Sequence, residues 1–150
     1  MVNLTEINPG QIWLDKSYYF NEKNSRYQSK YVLALAVTDD GDVLHAVFTS
    51  QPNGLTAIPA CSTGLPRTGH HIGYINNLFN KETWVDFSSI TLLDNMYLRQ
   101  HLEIGKKTAL EIRLGPRLFC EVLRCSIKLE DLSRRELSWI HKSIAEHICS

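Results

Sequence analysis

The sequence predicts a mainly β fold with late helices, an α+β arrangement in which a strongly bent antiparallel sheet is followed by a capped helix. Three observations carry this reading. Short runs of β-branched and aromatic residues, separated by turn signals, fill most of the chain before residue 95. Asp39-Asp40-Gly41-Asp42 lies between two of these runs and carries a hairpin signal. Near the end, Ser133 and Glu136 are spaced as a capping box, just ahead of apolar residues that recur at helical spacing.

Gly10 to Phe20 combines Ile12, Trp13, Leu14, Tyr18, Tyr19 and Phe20, types that suit a half-buried pleated surface, and is read as the first strand. Asn21 to Ser29 is polar and follows neither periodicity, which predicts an exposed loop. Tyr31 to Val37 is too short and too tightly bounded for a helix, so it is read as a strand pairing antiparallel with Val43 to Ser50. Gln51 to His71 contains Pro52, Gly54, Pro59, Gly64, Pro66 and Gly69, and this density of breakers predicts a long irregular segment. Ile72 to Phe79 and Thr83 to Phe87 follow as strands joined at Asn80-Lys81-Glu82, with Ser88 to Leu93 continuing the sheet. Asn95 to Leu110 is ambiguous and is interrupted by Gly105. Leu118 to Leu123, after Pro116, is a short helix, and the terminal helix buries a stripe of Leu137, Ile140, Ile144 and Ile148, with Leu132 and Leu137 at staple positions.

A chain of 150 residues, 43% hydrophobic and 21% charged, has the size and balance of one domain, residues 1–150, with a core of its own. No apolar run approaches the ~20 residues that span a bilayer, and Met1 to Glu6 lacks the features of a signal peptide, so no membrane partner and a cytoplasmic location are expected. Cys61, Cys120, Cys125 and Cys149 form no C-x-x-C pair, and in a reducing cytosol they read as small apolar residues rather than a disulfide framework. A zinc site from Cys61, His70 and His71 would offer one adjacent ligand pair where closed sites show two, so no metal or cofactor is expected. The formal charge of zero argues against a long nucleic-acid track. It conceals an asymmetry: residues 1–95 hold six Lys or Arg against nine acids, and residues 96–150 hold ten against seven.

The side chains able to bind a phosphate or to carry a proton are the candidates for chemistry. Arg26 and Lys30 bracket the polar loop and can supply a bidentate fork and a point charge, or stand as solvated loop cations. Thr49 and Ser50 end the third strand, where hydroxyls can bond a phosphate or simply turn the chain. His45, His70 and His71 belong to the residue type whose charge changes near neutral pH, and His45 or His70 is the candidate proton carrier. Asp15, Asp86 and Asp94 are bases or, as commonly, turn and surface carboxylates. No nucleophile elbow, P-loop, H-E-x-x-H or dinucleotide fingerprint is present, which argues against the commonest hydrolase, nucleotide-binding and zinc-protease classes.

The layout resembles the PemK/MazF/Kid family of bacterial toxins. Gly10-Gln11-Ile12-Trp13 looks like its opening Gly-x-Ile/Val-Trp/Val, Lys30 to Leu35 occupies its Arg-Pro strand, Val47-Phe48-Thr49-Ser50 its hydroxyl strand, and Ser133 to Ile148 its closing helix. Trp84 to Ser89 with Asp94 takes the place of the acidic segment, and Gln51 to His71 reads as a loop insertion. The resemblance implies an SH3-like small barrel and the toxin component of a type II toxin-antitoxin module. It implies a metal-independent endoribonuclease that cleaves single-stranded RNA through a 2′,3′-cyclic phosphate, a homodimer, and a cognate antitoxin with an acidic tail. Family ribonucleases carry Arg-Pro where this chain has Lys30-Tyr31, and another branch carries Arg-x-Asp where Asp86-Phe87-Ser88 stands. The alternative expectation is therefore a noncatalytic barrel that binds nucleic acid or a protein such as gyrase.

Overall fold

The computed structural model describes residues 7–63, 67–75, 77–147 and 149. These form β1 (Gln11–Asn21), β2 (Arg26–Val37), β3 (Val43–Thr49), β4 (Cys61–Ser62), β5 (Gly69–Ile75), β6 (Phe79–Leu93), α1 (Asn95–Glu103), β7 (Lys107–Arg113), α2 (Pro116–Ser126) and α3 (Arg134–Glu146). All strand pairs are antiparallel, and the seven strands lie in the order β4-β5-β6-β3-β2-β1-β7. That order is linear, so the hydrogen-bonded sheet is open, with β4 and β7 at its two edges. Register breaks in every long pairing, such as Asp15/Tyr19 in β1 and His45/Val47 in β3, mark bulges that bend the strands. No helix among the described residues is long and apolar enough to cross a membrane.

Both faces of the sheet are covered at its centre, which is why Tyr31 to Val37 reads as an unbroken apolar run. One face presents Ile12, Leu33, Leu35, Leu44, Phe48 and Val85 to Phe119, Val122 and Leu123 of α2 and Ile140 of α3. The other presents Trp13, Val32, Ala34, Val43 and Val47 to Leu98 of α1. Each such fully buried aliphatic or aromatic side chain contributes roughly 1.5–3 kcal/mol. Gly10 sits at φ +86°, and a Cβ there would lie 3.3 Å from the Phe119 ring, so glycine lets the chain enter β1 beneath α2. Gly69 is required by proximity: a Cβ would lie 2.5 Å from the Val85 carbonyl oxygen.

The capping box forms as read, with Ser133 Oγ accepting from Glu136 N at 3.1 Å and Glu136 Oε1 accepting from Ser133 N at 3.0 Å. Ile140 is fully buried, Ile144 and Trp139 pack against the same core, Leu137 is half-buried, and Ile148 lies outside the described residues. Ser143 Oγ donates to the Leu35 carbonyl at 2.7 Å and pins α3 to β2.

Four expectations need correction. Asn21 to Ser29 is not an open loop: β1 and β2 continue as a hairpin in which Asn21 pairs with Arg26, leaving only residues 22–25 as the turn. Both faces of the tip meet solvent, so no alternation marks the strands. The turn after β5 falls at Asn77 and Leu78, where Asn77 takes φ 66°, and Asn80-Lys81-Glu82 lies within β6. His70 and His71 lie in β5, not in the irregular segment. Finally, the cysteines are paired: Cys61 with Cys125, Cα–Cα 5.6 Å, and Cys120 with Cys149, Cα–Cα 5.5 Å. Partners 64 and 29 residues apart leave no local spacing signature, so only the fold reveals the pairing.

Candidate functional site

The helices cover the middle of the sheet and leave one end bare. Because neighbouring strands are antiparallel, this end gathers the last residues of β1, the first of β2, the last of β3, the first of β6 and the last of β5. The outer part of the β1–β2 hairpin, residues 16–30, carries Lys16, Lys23, Arg26 and Lys30 against the single acid Glu22. Phe20 and Tyr27 pair across it with ring centroids 5.2 Å apart, and they remain 49% and 63% exposed. Asn21 Oδ1 accepts from Lys23 N, Asn24 Oδ1 accepts from Arg26 N, and Ser25 adopts φ 54°, which sets the turn. Exposed aromatics among cations form the combination that stacks bases and tracks a phosphate backbone.

Lys30 is half-buried and stands in register with Asp15 of β1, which in turn pairs with Lys107 of β7. Lys107 Nζ donates to Asp15 Oδ2 at 2.7 Å in a nearly buried ion pair, and the ammonium lies 5.4 Å from the centre of the Tyr97 ring. Asp15 is thus a structural partner of Lys107 rather than an idle base.

Thr49 and Ser50 lie on the rim of a cleft of about 270 Å³ that also includes Lys81. Its floor is aromatic: Tyr31 and Phe48 pack against Phe79 at 5.4 and 4.9 Å between ring centroids. The Thr49 hydroxyl accepts from Gln51 N at 3.2 Å and sits 3.4 Å from Gln51 O, so it also performs the strand-end turn that its residue type favours.

The histidines separate by strand alternation. His70 points inward, is 4% exposed and holds its Nδ1 2.8 Å from the His71 carbonyl, and burial lowers its pKa. His71 points outward, packs edge-on to Trp84 at 5.3 Å and sets Nε2 3.2 Å from Glu82 Oε1. In the ladder Trp84 pairs with Thr49 on one side and with His71 on the other, so the three form one row on one face. Two strand spacings put His71 about 10 Å from Thr49 between Cα atoms.

His45 is 8% exposed, stacks 5.6 Å from Trp13, and faces the covered side beneath α1. Burial pushes its pKa down to about 4; the Lys107 charge lowers it further and Asp15 partly opposes this. It is therefore neutral at physiological pH and lies about 13 Å along β3 from Thr49. His45 and His70 are thus both buried, whereas His71 faces outward. Reading Gly69 to Ile75 as a strand would have separated the pair by parity, but its glycines hid the signal.

Asp86 and Asp94 also have structural roles. The Arg67 guanidinium pairs with Asp86 Oδ2 and donates to the carbonyls of Gln51 and Pro52 at 3.2 and 3.1 Å. Asp86 Oδ1 accepts from Ser88 N at 3.0 Å and Ser88 Oγ at 2.7 Å. Trp84 Nε1 donates to the Thr56 carbonyl at 3.0 Å, so the breaker-rich segment is strapped onto β6. Asp94 caps α1 by accepting from Tyr97 N. Cys61 is bonded to Cys125, and no cluster of metal-ligating side chains occurs among the described residues. No protein-family model matches the chain, and no curated protein or solved structure matches it.

Proposed function

We propose that this chain is a metal-independent endoribonuclease acting on single-stranded RNA, the toxin of a type II toxin-antitoxin module, its bent open sheet a divergent SH3-like barrel. The observation that carries the reading is the bare sheet end, where an aromatic-floored cleft rimmed by Thr49, Ser50 and Lys81 opens beside the cationic hairpin. Bases stack on Phe20, Tyr27 and the cleft floor, while Arg26, Lys30 and Lys81 neutralise phosphates. Thr49 and Ser50 donate to the scissile phosphoryl oxygens, and His71, oriented by Glu82, carries the proton. The 2′-hydroxyl oxygen attacks phosphorus, the 5′-oxygen leaves, and a cyclic phosphate remains.

The proposal includes a homodimer, an antitoxin whose acidic segment covers the cationic hairpin, and a cytoplasmic site of action. That location places both cystines against a reducing thiol pool. A noncatalytic nucleic-acid-binding module is the second reading. It is favoured by the engagement of Thr49 with Gln51 and by the absence of a histidine from the cleft lining.

The test is incubation with a long single-stranded RNA in EDTA, beside His71→Ala and a Lys30→Ala, Thr49→Ala double variant, with fragment ends mapped. Discrete cuts ending in cyclic phosphate, lost in the variants, are expected. Intact RNA with a folded wild type refutes cleavage, and retained binding then selects the second reading.

A further inference from the structure

The β5–β6 hairpin carries a second hollow at the bare end of the sheet, of about 580 Å³, lined by Tyr74, Ile75, Asn77, Leu78, Phe79 and Asn80. Leu78, Phe79 and Asn80 also line the cleft rimmed by Thr49 and Ser50, so the two hollows lie on either side of one wall. The backbone fixes that wall: Asn77 takes φ 66°, Leu78 N donates to the Ile75 carbonyl at 3.0 Å, and Ile75 pairs with Phe79. Register breaks on both sides of Gly73, itself at φ 81°, bulge β5 just ahead of Tyr74. Tyr74 is 65% exposed and has no ring or hydrogen-bond partner among the described residues. Asn77 and Asn80 are exposed too, and neither amide has a partner among the described residues. A single exposed aromatic is ordinary on a protein surface, but one that walls a hollow beside two free amides is a stacking platform. Among the described residues no charged side chain lines this hollow, whereas Lys81 lines the adjoining cleft.

We propose that the hollow beside Tyr74 is a second nucleobase subsite, adjoining the cleft, for an unpaired base of single-stranded RNA. The base stacks on the Tyr74 ring, and the Asn77 and Asn80 amides, each an acceptor beside a donor, meet its hydrogen-bonding edge. The uncharged lining matches a base rather than a phosphate, and Lys81, next to Asn80 in sequence, neutralises the phosphate between the two subsites. From β5 the path to the cationic hairpin crosses β6 and β3 to β2, three strand spacings or about 14 Å. The subsite therefore extends the track of Phe20 and Tyr27 across the bare end, and a duplex, whose bases are paired and stacked, cannot enter it. This subsite rests on the single-stranded RNA reading but not on cleavage, since binding alone fills it.

Binding by the full chain is measured by fluorescence anisotropy with a short labelled 2′-O-methyl RNA, which cannot supply an attacking hydroxyl. Contacts are mapped by photo-crosslinking from 5-iodouridine placed at each position in turn. The expected result is a crosslink to Tyr74 from one position, with binding weakened roughly tenfold by Tyr74→Ser and unchanged by Tyr74→Phe. An abasic nucleotide at the crosslinked position should weaken the wild type by the same factor and leave binding by Tyr74→Ser no weaker. The crosslink and the abasic loss are read on the wild type, so they decide the point even where a variant fails to fold. Asn77→Gly, which keeps the left-handed turn and removes one amide, should narrow the affinity differences among bases placed at that position. Equal affinity of wild type and Tyr74→Ser, or crosslinks confined to Phe20, Tyr27 and the cleft, overturns the subsite while the RNA reading stands. No binding of the RNA by folded wild type overturns both.

Discussion

Substituting His45→Phe should remove a large part of the acid sensitivity of the fold. The imidazole is buried beside Trp13, its Nδ1 has no hydrogen-bond partner, and burial depresses its pKa from 6.5 to about 4. Above pH 6.5 neither folded nor unfolded chain protonates it, and its contribution to stability is complete. Between pH 6.5 and 4 the unfolded chain takes up a proton that the folded chain refuses, so stability falls as pH falls. A displacement of that size corresponds to about 3 kcal/mol lost across the window. Phenylalanine keeps a ring against Trp13, cannot titrate and removes the unpartnered nitrogen. The variant should match or exceed the wild type at pH 7 and lose about 3 kcal/mol less on acidification to pH 4. Urea unfolding at half-unit pH steps measures both slopes. The lowered pKa values of His70 and His101 act in the same direction in both proteins and cancel in the difference. Parallel stability–pH curves for variant and wild type would refute the assignment.

Three further perturbations separate the remaining roles. Replacing Cys61 and Cys125 by Ser opens a 64-residue loop in the unfolded chain and should cost about 4 kcal/mol in urea unfolding. Arg67→Ala strands the Asp86 carboxylate and releases the carbonyls of Gln51 and Pro52. It should cost about 3 kcal/mol and make residues 51–63 the first site of limited proteolysis, whereas unchanged protease resistance would contradict the strap. Phe20→Ser with Tyr27→Ser should weaken single-stranded RNA binding by roughly 1–3 kcal/mol per lost stacking partner, with thermal stability nearly unchanged because both rings are exposed.

What was legible in the sequence follows from how much of each signal is local. The capping box of Ser133 and Glu136 needs only neighbours in sequence, and it forms as read. The strand at Tyr31 to Val37 was visible because burial on both faces leaves an uninterrupted apolar run. The β1–β2 hairpin tip was lost because its cross-strand contact, Phe20 on Tyr27, joins strands whose polar surroundings erase alternation. The same limitation hid Arg67, which acts by reaching Asp86 nineteen residues away, and the two cystines, which join α2 to β4 and to the residue Cys149 beyond α3.

Coverage of the sheet also explains which candidate residues stay accessible. Lys30, Thr49 and Ser50 lie where β2 begins and β3 ends, beyond the reach of α1, α2 and α3, and they stay partly accessible. His45, four residues inside β3, falls under α1, where burial lowers its pKa to about 4. His70 is near the bare end but on the inward parity, where burial and the His71 carbonyl fix it. Position along a strand decides exposure to ligand, and parity decides which face is presented. Among the described histidines of the sheet, His71 alone meets both conditions: it faces outward beside Trp84, in the same ladder row as Thr49, with Glu82 to orient its ring.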